Sequence, residues 1–231
     1  MRNIWFTIYL STKDDTEFIG LNNYRTLLEI ILIPAIQDKI NREKKVQKIM
    51  FCLIPELGRD LLDSFQNNYE KKRVVNGGII NLEASAKGIN WNNLSEQERK
   101  DFLIEKWKIL FSNLSDDYFL VDKCEVIKSL DELKNKEWKV TISPIKKKLK
   151  YNKDVYTIVM DLSTERAQLA LVRNSDQKWI KLKDFETWQI LTHANFKNFK
   201  LDGDILAFSY SSVFNTLFTA PEIFNLKEII K

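Results

Sequence analysis

Histidine occurs once in the 231-residue chain, at position 193. That scarcity removes zinc sites built on paired imidazoles, H-x-x-x-H helices and any catalytic dyad needing two histidines. A Ser-His-Asp triad would have to use His193, and no G-x-S-x-G elbow is there to present its serine. His193 follows Thr192 at the expected end of a short helix, where a cation suits the dipole, and that structural role is the reading adopted. A Cys-His pair with Cys52 or Cys124 is the catalytic alternative. Those are the only cysteines, and both read as reduced thiols, Cys52 within the apolar run Phe51-Cys52-Leu53-Ile54. The phosphate loops G-x-x-x-x-G-K-[ST] and G-x-G-x-x-G are missing, so no nucleotide cofactor is expected. Glycine and proline number only 6 and 4, which excludes collagen-like and disordered classes and long flexible linkers. The most apolar window, residues 27–36, is interrupted by Glu29 and Pro34 and is too short to span a bilayer. The N-terminus lacks the long apolar region of a signal peptide. A cytoplasmic protein with no membrane partner is therefore expected.

What the chain does contain is ample core material. Hydrophobic residues make up 44% and aromatics 12%, with 14 Phe and 6 Trp, so burial of a core is not limiting. The net charge of +4 is local. Residues 1–150 hold 26 Lys and Arg against 22 Asp and Glu, whereas residues 151–231 hold ten of each. Lys146, Lys147, Lys148 and Lys150 account for the whole excess. There is no global basic field of the kind that drives nucleic-acid binding, and no nucleic-acid partner is expected.

The apolar pattern predicts an α+β fold with mixed and antiparallel sheets, packed amphipathic helices and two units, residues 1–145 and a smaller, antiparallel unit at 151–231. Ser143-Pro144 and the lysine tract read as the linker between them, although the two could share one core. Residues 4–10 and 49–54 read as strands, the first apolar on both faces. A helix is expected from about Asn23, with Leu27, Leu28, Ile31 and Leu32 buried and Pro34 kinking or ending it. A second helix should follow Pro55, with Leu57, Leu61, Leu62 and Phe65 on one side. Residues 74–86 read as a strand interrupted at Gly77-Gly78. Ser95 and Glu98 form a capping box ahead of a helix that buries Phe102, Leu103, Trp107, Leu110, Phe111 and Leu114 and exposes Arg99, Lys100, Glu105 and Lys108. Residues 118–121, 138–142, 155–162, 167–171, 179–182 and 205–210 read as strands. Short helices are expected after a Ser129 cap with Glu132 and at 185–193, the latter with Trp188 and Leu191 inward, a turn at 201–204, and a helical tail over 214–230 broken at Pro221.

No catalytic, cofactor or metal site emerges. Asp202-Gly203-Asp204 could hold a cation, but the further EF-hand ligands are absent and a turn explains it. Glu137-Trp138-Lys139, with Asp131 upstream, matches the carboxylate-x-lysine spacing of metal-dependent nucleases, in which Lys139 would orient water. Glu43/Lys45, Glu70/Lys72 and Asp176/Lys178 match it equally, so the pattern does not discriminate. The tract Lys146–Lys150, beside Tyr151, could contact RNA or an anionic lipid surface. Four lysines alone would give weak, salt-sensitive binding, and a solvated connection explains them as well.

The run Ile79-Ile80-Asn81-Leu82-Glu83, then Trp91-Asn92-Asn93-Leu94-Ser95-Glu96-Gln97-Glu98, then Leu110 and Leu114 resembles a strand, an aromatic loop and a capped amphipathic helix that recur in small bacterial immunity proteins of polymorphic toxin systems. That resemblance implies function by protein binding: a non-catalytic chain that occludes a cognate toxin. It transfers no site residue. Trp91, Phe196 and Phe199 stand among polar neighbours and are the expected exposed anchors; packing roles, Trp91 as a hydrophobic staple and the two Phe at a core edge, explain them too. Asp116 and Asp117 are the acids expected to face a basic partner. A metal-dependent nuclease or other hydrolase, and an RNA-binding or regulatory component using the lysine tract, remain the alternatives.

Overall fold

A computed structural model describes residues 5–10, 18–41, 48–54, 79–191, 194–210 and 220–230. The helix expected after Pro55, His193, and the tail from Phe214 to Thr219 lie outside these. The fold is α+β, and the chain divides into two compact units, one of residues 1–21 and 28–137, the other of residues 22–27 and 138–231.

In unit 1, strands β1 (Trp5–Leu10), β2 (Lys48–Ile54) and β3 (Ile79–Ser85) form a parallel sheet in the order β1-β2-β3. Trp5 pairs with Lys48 and Lys48 with Ile79, so the strands run almost in register. Parallel neighbours need a crossover, and α1 (Leu21–Ile36) supplies the first. α1 starts two residues before the expected Asn23 and runs past Pro34, which removes one i→i−4 hydrogen bond from its last turn without ending it there. Leu27, Leu28 and Leu32 are buried as the periodicity predicts, and Ile31 only half so.

Helix α2 (Glu96–Asn113) begins at the capping box. The Glu98 carboxylate accepts from the Ser95 amide (2.8 Å) and hydroxyl (2.7 Å), and Ser95 Oγ accepts from the Glu98 amide at 3.3 Å. Leu103, Ile104, Trp107, Phe111 and Leu114 are buried. Lys100 is buried as well, against expectation: Glu96, one turn back, pairs with it at 2.7 Å and lets its stem lie on apolar surface. Helix α3 (Lys123–Lys134) lies beside α2, with Lys108 bonded to Asp131 at 2.9 Å and Lys134 to Glu105 at 3.2 Å. The short helix expected from a Ser129 cap is thus a longer one, capped by Asp122. Ser129 is internal and returns its hydroxyl to the Glu125 carbonyl at 3.0 Å. The strand expected at 118–121 is a single bridge, Phe119 to Ile40, after a 3-10 turn at Asp116–Tyr118.

In unit 2, β4 (Val140–Ile142), β6 (Asp154–Leu162), β7 (Ala167–Arg173) and β8 (Trp179–Phe185) make an antiparallel sheet, and β5 (Leu149–Tyr151) also pairs with β6. The lysine tract is therefore no linker. It connects two strands of one sheet, and the boundary between units falls at Glu137/Trp138. Asn152 and Lys153, both at positive φ (48° and 68°), make the two-residue hairpin from β5 to β6. A second antiparallel sheet, β9 (Phe196–Asp202), β10 (Ile205–Tyr210) and β11 (Ile223–Asn225), precedes the single turn α4 (Leu226–Ile229). The expected helical tail is replaced here by β11 and that turn. Phe196 joins the sheets, with Phe185 at 6.0 Å on one side and Phe208 at 4.9 Å on the other. The segment before β9 is a 3-10 turn (Thr187–Leu191) that buries Ile190, while Trp188 is half-exposed, contrary to expectation.

Candidate functional site

Three of the expected anchors are core residues. Trp91 is fully buried, donates from Nε1 to the Ile19 carbonyl at 2.9 Å and meets Phe18 and Phe102 at 6.2 Å each. Arg99 covers its ring at 5.3 Å. Trp91 therefore staples the entry to α2. Phe196 and Phe199 are buried too. A bulge places Ser209 opposite Asn198 but Tyr210 opposite Phe196, so Lys197 is the extra residue. That shift turns two side chains three apart onto one face, which a regular strand cannot do.

Asp116 and Asp117 are exposed, at the head of the segment Ser115–Glu125, which runs from the end of α2 into the first turn of α3. Its backbone is tied down. Tyr118 is buried, Phe119 is buried against Phe111 at 6.1 Å, the Leu120 amide donates to the Lys39 carbonyl at 2.8 Å, and the Asn41 amide donates to the Tyr118 carbonyl at 2.8 Å. Asn41 Nδ2 adds a bond to the Asp117 carbonyl at 3.0 Å. Lys123 Nζ reaches the Ser112 and Leu114 carbonyls (3.2 and 2.8 Å), two acceptors around the end of α2, and Asp116 Oδ1 at 2.9 Å. On this frame Leu120 stands 64% exposed. Asp116, Asp117, Asp122 and Glu125 are exposed around it in sequence.

Asp122 was not singled out by sequence reasoning, because Leu120 and Val121 read as strand. Its side chain accepts from the Cys124 amide at 2.8 Å, and that bond holds its carboxyl below the ordinary carboxylate value. Its hydrogen bond to the same carboxylate pushes the thiol of the exposed Cys124 up.

The other candidates do not assemble chemistry. Glu137 and Lys139 precede β4 instead of lying on a strand, Trp138 between them is buried, and Asp131 is held by Lys108. Asp204 accepts from the Tyr151 hydroxyl at 2.7 Å beside Gly203, whose φ of 57° makes the turn between β9 and β10. Among the described residues no three of His, Cys, Asp or Glu gather as a metal site, and no helix is long and apolar enough to cross a membrane. Compared with protein families, curated proteins and solved structures, the chain finds no match.

Proposed function

We propose that this chain is a non-catalytic protein-binding protein that occludes a basic partner, in the manner of a toxin-neutralising immunity protein, through the segment Ser115–Glu125. The observation that carries this reading is Leu120, 64% exposed on a loop whose backbone is bonded on both sides, with four carboxylates in the same segment. A rigid apolar contact costs little ordering entropy on binding. Acids around it steer a basic partner and suppress neutral ones.

The test is retention of a native-host protein on the immobilised chain, compared with Leu120→Asp and with Asp116→Ala/Asp117→Ala. The partner should carry a basic surface. Leu120→Asp should weaken retention at least about tenfold, as expected of a central contact. The double variant should slow association and flatten its salt dependence. A partner held equally by all three proteins, or none above background with wild type, overturns the proposal.

A further inference from the structure

Strand register brings the lysine tract into new company. In an antiparallel sheet, residues paired across strands share a face, and so do residues two apart. Lys150 pairs with Val155, Thr157 with Val172, Val172 with Trp179, and Ala170 with Lys181. Val155, Thr157 and Val159 alternate along β6, and Val159 pairs with Ala170. All of these side chains therefore lie on the face opposite Tyr156, Ile158, Met160 and Leu162, which are buried. Lys148 joins them through its ammonium, which donates to Thr157 Oγ1 at 2.7 Å.

Val159, Ala170 and Val172 on this face form a buried apolar cluster, and Trp179 at one side is 48% exposed. Lys148 and Lys150 stand three strand spacings away, about 14 Å. Lys181 follows Trp179 by two residues, about 7 Å along β8. Of the acids of this face, Asp161 accepts from Thr141, and Asp184 accepts from Gln168 and pairs with the exposed Lys181 ammonium, which a phosphate would draw away. An exposed indole with exposed lysines on the same face matches a ligand that alternates planar rings with negative charge.

We propose that this face binds single-stranded nucleic acid, with a base stacked on Trp179 and phosphates held by Lys148, Lys150 and Lys181. The binding is modest and sequence-tolerant, since every base offers a stacking face and the sheet offers no groove-reading element. It is independent of the Leu120 surface, which lies in unit 1. An acidic polypeptide would engage the lysines but leave Trp179 without a role.

The experiment is fluorescence anisotropy of a short labelled oligothymidylate with the full chain at several salt concentrations. Binding at low salt should weaken with a log–log slope of about −2, as three neutralised phosphates require. Trp179→Ala should weaken it about tenfold and Trp179→Phe should largely restore it, because the ring is retained. Lys148→Ala/Lys150→Ala should weaken it and flatten the salt slope. Circular dichroism confirms that each variant is folded. The proposal is overturned by absence of binding at low salt, by Trp179→Ala binding like wild type, or by polyglutamate displacing the oligonucleotide as well as unlabelled oligothymidylate does.

Discussion

Trp107 and Trp179 are the same amino acid under opposite conditions. Trp107 is fully buried and stacks on Phe111 at 5.6 Å, whereas Trp179 lies on the edge strand of its sheet, half in solvent. Truncating a buried indole loses its transfer free energy and leaves a cavity that close-packed neighbours cannot fill. Trp107→Ala should therefore cost about 3–5 kcal/mol in urea unfolding, and Trp91→Ala a similar amount. Trp179→Ala should stay within about 1 kcal/mol of wild type. Trp91→Ala that unfolds like wild type while losing partner retention would return Trp91 to the surface. The helical period placed Trp107 inside, whereas Trp91 and Trp179 each stand among polar residues and their burial depends on segments distant in the chain. Ile19, whose carbonyl receives the Trp91 indole, lies 72 residues away.

At the scale of elements, local signals were legible where both partners lie within one turn. Ser95 and Glu98 fixed the start of α2. The pattern failed at α3 because Asp122–Glu125 and Ser129–Glu132 both match it, and only tertiary contacts of Ser129, including the Lys39 ammonium at 2.7 Å, place it inside the helix. Strand β9 was unreadable for a different reason: its bulge breaks the period of two on which strand recognition rests. The segment around Leu120 was misread because an apolar Leu-Val pair after an aromatic pair looks like a buried strand. The two helix caps also carry a pH dependence. The Ser95 hydroxyl and amide hold the Glu98 carboxyl below its ordinary value, and the Cys124 amide does so for Asp122. A lowered folded-state value means stability that is complete above the unfolded value and lost as pH falls through the folded one. Thermal stability should therefore decline on acidification below about pH 4. Ser95→Ala should cost about 1 kcal/mol at neutral pH and make that acid decline shallower, because Glu98 then titrates closer to its unfolded value. An unchanged acid slope in Ser95→Ala would remove the cap as its source.

For the whole molecule, the decisive feature is that unit 2 draws residues 22–27 from the chain's beginning. Asn23 donates to the Glu186 carboxylate at 2.7 Å and accepts from the Trp188 amide at 3.1 Å, and Tyr24 meets Trp138 edge-on at 6.3 Å. A fragment of residues 138–231 would lose these partners. It should show fewer protected amides and a lower melting temperature than the same residues in the full chain, and a co-expressed fragment of residues 1–137 should restore them. A free fragment with full protection would mean that residues 22–27 are dispensable to unit 2.

The same arrangement sets a timetable during synthesis. Asn23 emerges 165 residues ahead of Trp188, its backbone partner. At about 5–20 residues per second, that is a wait of roughly ten to thirty seconds. Throughout it, Tyr24 and Leu27, both buried in the finished protein, belong to a nascent chain whose destination has not been made. Unit 2 closes only on a segment made at the start of translation. The first turns of α1 are a segment that holdase chaperones would meet on the ribosome, and a slow codon run before position 188 would lengthen that exposure.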